Sequence, residues 1–554
     1  MTRHAGHLLV ECLTALGAQK AFGVPGESYL AVLDAMHDTA GRFDFINCRH
    51  EGGAAFMAAA WGKLTGQPGI CMVTRGPGVT NASIGIHTAM QDSVPMIVLV
   101  GQVGTQMRGR EAFQEIDYRA VFSTVAKWAI EVDHAARLPE ILARAWKTAM
   151  TGRPGPVVVA LPEDMLSAPT DVAALRGLAA YPEPVPSAQA MGHVHAILSQ
   201  AERPLILVGG CGWNATGRHA LQDFAERSDI PVAAVFRYQD QFDNFSPCFC
   251  GEAGVGMLPN VRDLIQDADT ILAVGNRFGE NSTAGWTLLD VPVPRQRLIH
   301  VHASAAELGK IYQPEIGIVS GVNAFAAALQ SVSGPWAEWR ARARTSWEAG
   351  FDLPAQPSPV DMGQVMVHLQ KVLPADVIVT NGAGNFATWP NKFFRFGARA
   401  RLLGPQSGAM GYGVPAAIAA KIAAPDRTVL CFAGDGDFQM SVAELATARQ
   451  AGACPVILIL NNGIYGTIRA HQEKHYPTRV SGTAMTGNPD FVALAQAYGF
   501  QSEHVARTAD FADAFQRALA SENGAVLDLD ISPEALTPRA SLSAIRQAAL
   551  NENR

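Results

Sequence analysis

The chain has 554 residues, 48% of them hydrophobic and 17% charged, with a formal net charge of −7. That length suits three or four domains with sizeable cores, and the composition excludes extended disorder. The mild charge gives no support for a nucleic-acid partner, and no apolar run approaches the roughly 18 residues that a bilayer span needs. Eight scattered cysteines suit buried thiols in a reducing compartment, and Cys248-x-Cys250 lacks the second pair that zinc would require. The opening residues have no signal-peptide layout, so a cytoplasmic protein without membrane attachment is expected.

Apolar spacing from Leu8 to Leu16 predicts an amphipathic helix, followed by a strand end and turn over 22–26. A second helix runs from Tyr29 to Met36, and a strand from Phe43 to Asn47 closes at His50-Glu51. An alanine-rich helix over 54–64 stops at Gly66. The strand Ile70–Thr74 ends in the turn Arg75-Gly76-Pro77-Gly78, and a helix over 81–90 and a strand over 96–100 complete the repeat. With the strand over 156–161, residues 1–170 read as one doubly wound α/β domain. A linker over 171–190 leads to a middle domain over 190–335. There Gly210-x-Gly-x-x-Ala215 is a weak nucleotide signal, and His300-Val301-His302 reads as ordinary histidines at a strand end. Residues 336–360, with three tryptophans and several prolines, read as a second connection. A third α/β domain spans 359–535, and a tail spans 536–554. The expected fold is therefore three doubly wound parallel-sheet domains.

The most informative stretch is 428–464. An apolar strand ends at Gly434-Asp435-Gly436, Ser441 and Glu444 form a capping box for a helix, Gly452 stops it, and a second strand over 455–460 ends at Asn461-Asn462. Asp435 and Asn462 thus fall at the carboxyl ends of successive parallel strands, where open sheets bind ligands. One carboxylate, one amide oxygen and free loop carbonyls form an all-oxygen set suited to Mg²⁺. Glycines 434 and 436 let the backbone approach a diphosphate. Glu51, at the start of a helix and followed by Gly52 and Gly53, is either a favourable charge at the positive helix end or a carboxylate facing a ligand.

The GDG stretch with Asn-Asn about two dozen residues later resembles the thiamine-diphosphate motif. The segments R-H-E-G-G-A-A-F-M-A, T-R-G-P-G-V-T-N-A, H-T-A-M-Q-D-S-V-P-M-I-V-L-V-G-Q-V, E-A-F-Q-E-I-D and G-A-M-G-Y-G-V-P-A-A resemble the acetolactate (acetohydroxyacid) synthase family. The resemblance covers nearly the whole chain and implies a pyrimidine-binding, a middle and a diphosphate-binding domain, in that order. By position, Asp435, the Asn462 side chain and the Ile464 carbonyl would hold Mg²⁺. Gly384, Asn385, Gly434, Gly436 and Asp437 would line the diphosphate, and Met410 would hold the cofactor bent. Glu51 would hydrogen-bond the pyrimidine nitrogen N1′, favouring the imino tautomer that takes the proton from C2. Gln114 would act in catalysis, with Val24, Phe113, Tyr465 and His471 in the substrate pocket.

The chain departs from the family at several places. Asn385-Phe386 replaces Gln-His beside the diphosphate, and Asn281 stands where the family's Asp-Asp-Arg arginine meets the acceptor acid. The loop Gly463–Thr467 replaces Glu-Glu-Gln-Gly-Met, and His471 falls at a tryptophan position. Together with His300 and His302, the Asn276–Asn281 departure argues against FAD in the middle domain. The resemblance implies 2-oxo-acid substrates and at least a homodimer, up to a homotetramer. Phe113-Gln114 and the lack of a His-His pair favour carboligation. The alternatives are a 2-oxo-acid decarboxylase or C–C lyase, and a non-catalytic homologue, against which Glu51, Asp435 and Asn462 argue.

Overall fold

The computed structural model describes residues 3–177 and 181–552; positions 178–180, within the expected linker, lie outside the described residues. Among the described residues the chain forms three six-stranded sheets and one two-stranded pair, Arg3–His4 with Pro169–Thr170. Every pairing in the three large sheets is parallel. The chain groups into two compact units. One comprises 1–182, 405–426 and 441–454; the other comprises 183–404, 427–440 and 455–554. No described helix is long and apolar enough to cross a membrane.

In the first unit the strands lie in the order Asp44–Asn47, Lys20–Gly23, Gly69–Thr74, Met96–Gln102, Pro156–Pro162, Trp128–Glu131. The order in which strands are added reverses between Lys20–Gly23 and Gly69–Thr74, which opens a crevice at their carboxyl ends. The central strands are continuous apolar runs such as Val157-Val158-Val159, because helices cover both faces. Helix Glu51–Thr65 lies close over the sheet: a Cβ at Gly62 would stand 2.3 Å from the Pro95 carbonyl oxygen. It ends, as expected, at Gly66 with φ 73°. The residues 75–78 are not a free turn. Helix Arg75–Asp92 already includes them, and Pro77 is tolerated because the first turn has no intrahelical acceptor for its missing N–H.

The second unit holds the other two sheets. The middle sheet runs Phe249–Ala253, Val232–Val235, Pro204–Val208, Thr270–Val274, Arg297–His302, Ile316–Val319. At its point of reversal the loops meet backbone to backbone, since a Cβ at Gly275 would stand 2.4 Å from the Gly209 oxygen. Asn214 caps helix Ala215–Arg227, its side chain accepting from Gly217 N at 2.7 Å. His300 and His302 are buried against backbone groups: His300 Nε2 lies 2.8 Å from Asn276 O, and His302 Nδ1 accepts from Ser304 N at 3.0 Å. Burial lowers both, His302 to about 4, so both imidazoles are neutral.

The expected connection over 336–360 is half helix, Ala337–Ala349. Its buried tryptophans attach it to the middle sheet: the indole nitrogens of Trp336 and Trp339 donate to the carbonyls of Ala201 and Pro204, each at 2.9 Å. Arginines interleaved with these tryptophans obscure the apolar stripe in the sequence.

The third sheet runs Arg401–Leu403, Ile378–Asn381, Val429–Gly434, Val456–Asn461, Ala525–Asp530, Gln501–Val505. Taken in chain order, this is the strand order of the first sheet. Its reversal falls between Ile378–Asn381 and Val429–Gly434, directly beside Asp435. A buried ion pair joins the middle sheet to this one, with Lys392 Nζ on Glu252 Oε2 and side chains only 6% and 3% exposed. Burial pushes the lysine ammonium down to about 7. Glu252 also accepts from Arg237 N at 3.3 Å, and Arg237 Nη2 donates to Gly382 O at 3.0 Å. Removing one partner of such a pair leaves an uncompensated charge. Glu252→Ala is therefore expected to cost about 3–5 kcal/mol in denaturant unfolding, and pairing Glu252→Leu with Lys392→Met should recover most of it.

Candidate active site

In the second unit, strand Val429–Gly434 runs straight into the short helix Asp435–Gln439. Asp435 is 2% exposed. Its Oδ2 accepts from Gly463 N at 3.0 Å and from Asn488 Nδ2 at 2.7 Å. Burial raises its pKa above the usual carboxylate range, although these donors oppose the shift. Asn462 Oδ1 accepts from Ile464 N at 3.1 Å. The loop is pinned from outside by Tyr465 N on Thr483 O at 2.9 Å and Met485 N on Gly463 O at 2.8 Å. Asp435, Asn462 and the Ile464 backbone are thus brought to one sheet edge by adjacent parallel strands.

Gly436 faces the half-buried Tyr465 closely: a Cβ there would stand 2.8 Å from Tyr465 Cε1. Asp437 is buried and accepts from Ala383 N at 3.3 Å, tying the GDG turn to the loop that carries Gly384 and Asn385. Asn385 is engaged on both ends of its amide: Nδ2 donates to Leu536 O at 2.9 Å, and the Thr467 hydroxyl donates to Oδ1. Phe386 packs against both Gly384 and Gly434, where a Cβ would stand 2.7 and 2.8 Å from its ring. His471 lies exposed on helix Gly466–His475, stacked on His475 at 6.0 Å.

The first unit carries the other candidates. Glu51 opens helix Glu51–Thr65, whose start is capped by His50 Nδ1 accepting from Gly52 N at 3.0 Å. Glu51 Oε2 accepts from Asn81 Nδ2 at 2.9 Å, while a Cβ at Gly78 would stand 3.6 Å from Oε1. Gln114 has φ 67°, and its carbonyl accepts from Gly76 N at 2.9 Å, which fixes the start of the helix that carries Asn81. Phe113 beside it is 72% exposed. The carbonyl of half-buried Val24 accepts from the Tyr29 hydroxyl. Met410 is half-buried between Gly408 and Gly411, both at positive φ.

The expected capping box at Ser441 and Glu444 does not form. The helix starts at Glu444, Ala443 occupies the cap position, and the buried Ser441 hydroxyl has no hydrogen-bond partner among the described residues. The Glu444 carboxylate instead accepts from His50 N at 2.9 Å and from Arg49 N at 3.2 Å, immediately before Glu51. A Cβ at Gly53 would stand 2.3 Å from Glu444 Oε1. Three supporting residues were thus missed as such in the sequence: Asn81, Asn488 and Glu444. Asn81 lies inside the segment T-R-G-P-G-V-T-N-A, whereas nothing local marks Asn488, which Gln439 Nε2 orients by donating to its Oδ1 at 2.9 Å.

Two parallel sheets of one strand order, one with a helix-opening glutamate and one with a buried aspartate at its reversal, define a cofactor-dependent α/β enzyme. Residues 3–121 match the family model for the N-terminal TPP binding domain of thiamine pyrophosphate enzymes, 191–329 the central domain and 382–529 the C-terminal TPP binding domain. The chain belongs to the thiamine pyrophosphate enzymes, within their acetolactate-synthase-like group. It is 31% identical over 526 residues to the acetolactate synthase isozyme 2 large subunit of Escherichia coli, covering 94% of each chain. It is 32% identical over 529 residues to the acetolactate synthase large subunit of Corynebacterium glutamicum, covering 92% of this chain and 84% of that one. The mitochondrial catalytic subunit of acetolactate synthase from Saccharomyces cerevisiae is 31% identical over 552 residues, covering 94% and 80%.

Because Glu444 satisfies amides next to Glu51, Glu444→Ala is expected to cost about 1–3 kcal/mol. Hydrogen exchange should quicken at the Arg49 and His50 amides, and slow exchange there in the variant would contradict the assignment.

Proposed function

We propose that the protein decarboxylates a 2-oxo acid with thiamine diphosphate and Mg²⁺ and joins the remaining acyl unit to a second carbonyl compound. The observation that carries this reading is the buried Asp435 carboxylate, held by the neutral donors Asn488 and Gly463 N. Such a group calls for a hard cation as its countercharge, and the amide oxygen of Asn462 and the Ile464 carbonyl complete an oxygen set that fits Mg²⁺. Gly434 and Gly436 keep the turn narrow, and the amides at the start of helix Asp435–Gln439 suit phosphate oxygens. Bound thiamine diphosphate supplies the electron sink that decarboxylation requires.

The other candidate residues have separate tasks. Glu51, held by Asn81, would hydrogen-bond the pyrimidine nitrogen N1′ and favour the imino tautomer of the cofactor. Met410 positions the ring, and Gln114, Phe113, Val24 and Tyr465 orient substrates. The assembly contains at least two copies. Acetolactate synthase relatives over more than nine-tenths of the chain support carboligation.

Incubation with pyruvate, thiamine diphosphate and Mg²⁺, followed by NMR, is expected to yield acetolactate. Acetaldehyde alone would replace this reading with a decarboxylase. Glu51→Gln should slow C2 hydrogen–deuterium exchange of the bound cofactor by orders of magnitude with the fold intact, and unchanged exchange would sink its role. Asp435→Ala should abolish Mg²⁺-dependent cofactor retention.

The raised Asp435 pKa also sets a pH dependence. The metal-free folded state holds this proton more tightly than the unfolded chain does. Its contribution to stability is fully present below the unfolded pKa and is lost as pH rises through the folded one. Mg²⁺ competes with that proton, so thermal stabilisation by Mg²⁺ and cofactor should fade as pH falls through the same raised value. Equal stabilisation at every pH would refute this.

A further inference from the structure

The loop amide and the side-chain amide that reach Asp435 from elsewhere in the second unit meet the same oxygen. Gly463 N at 3.0 Å and Asn488 Nδ2 at 2.7 Å both donate to Oδ2. An oxygen that accepts two such bonds has its lone pairs turned towards the protein, so Oδ1 is the oxygen left to meet a cation. Both donors are neutral, and they aim the carboxylate without cancelling its charge.

The Asn488 amide is itself fixed. A carboxylate only accepts, so the amide nitrogen and not its oxygen faces Asp435. The same nitrogen lies 3.5 Å from Asn461 Oδ1, and Asn461 Nδ2 in turn donates to the buried Asp528 Oδ1 at 3.1 Å. On the other side, Asn488 Oδ1 accepts from Gln439 Nε2 at 2.9 Å. Gln439 closes the short helix that Asp435 opens, so Asn488 ties the two ends of that helix together. Its loop is anchored before and after it. Upstream, Tyr465 N donates to Thr483 O and Met485 N to Gly463 O. Downstream, Asp490 caps helix Phe491–Ala497 by accepting from Ala493 N at 3.0 Å.

Hard cations differ in what they take from a carboxylate. Ca²⁺ binds about six to eight oxygens in a flexible geometry and accepts both oxygens of one carboxylate, whereas Mg²⁺ demands a near-ideal octahedron. We propose that Asn488 is a positioning residue that holds Asp435 as a one-oxygen ligand and thereby sets the preference of this site for Mg²⁺ over Ca²⁺. The inference rests on the reading of Asp435 as a metal ligand and adds the residue that decides which ion this ligand suits.

The test is calorimetric titration of thiamine diphosphate into the full chain over a series of Mg²⁺ or Ca²⁺ concentrations, which yields the affinity for each ion. Asn488→Leu keeps the size of the side chain and removes the donor. It should weaken Mg²⁺ about 10–100-fold and Ca²⁺ less, so that the Mg²⁺-to-Ca²⁺ affinity ratio falls about 10-fold or more. A role confined to holding the loop would weaken both ions equally. Gln439→Glu presents an acceptor to Asn488 Oδ1 and so turns its amide; it should lower the ratio in the same direction, and it covers the case in which Asn488→Leu does not fold. A ratio that stays unchanged in the folded variants, an equal loss of both ions included, would overturn the proposal and leave the metal reading in place. Cofactor binding by the unaltered chain that needs no divalent cation would overturn the metal reading itself, and this proposal with it.

Discussion

A carboxylate removed from water and met by neutral donors is the constraint on which the site-bearing parts of both units depend. Asp435 and Glu444 are both almost fully buried, and burial raises both above the usual carboxylate range. Neither faces a basic side chain at hydrogen-bond distance; each is held by amides, at the start of helix Asp435–Gln439 and just before helix Glu51–Thr65 respectively. They lie nine positions apart in sequence, yet one serves the second unit and the other the first. The segment between them therefore has to break its helix, which explains why Ser441 caps nothing.

The two outer sheets share a strand order whose reversal places loops at the carboxyl ends of neighbouring strands. On the third sheet this position is Asp435; on the first it is the crevice between Gly23 and Thr74, next to the helix that Glu51 opens. The middle sheet has the order of dinucleotide-binding folds, and at its reversal point the backbones of Gly209 and Gly275 lie close together. It contributes to the third sheet mechanically, through Lys392, Glu252 and Arg237, which together hold the Gly382 carbonyl.

Departures from the family pattern have visible local consequences. Phe386 fills the space beside Gly384 and Gly434, and the Asn385 amide is turned to Leu536 and Thr467. The polar pair that resemblance assigns to the diphosphate is thus replaced by an apolar wall and a structural amide. His471, at the family's tryptophan position, faces solvent on its helix. These differences leave Asp435 and Asn462 themselves in place at the sheet edge.

Much of this was legible locally. Apolar runs ending in Gly434-Asp435 and Asn461-Asn462 fix strand ends, and parallel pairing then brings both to one edge, because a short crossover allows little else. Glu51 was legible as a helix-opening carboxylate. What tertiary structure alone decided was the supporting partners. Asn488 reaches Asp435 across 53 positions, and Glu444 reaches His50 across 394. A capping box is a short-range preference worth about 1 kcal/mol, too little to hold a glutamate whose carboxylate can instead accept from two successive backbone amides elsewhere. Local patterns set where strands end and which residues stand at those ends; long-range burial set which polar groups answer them.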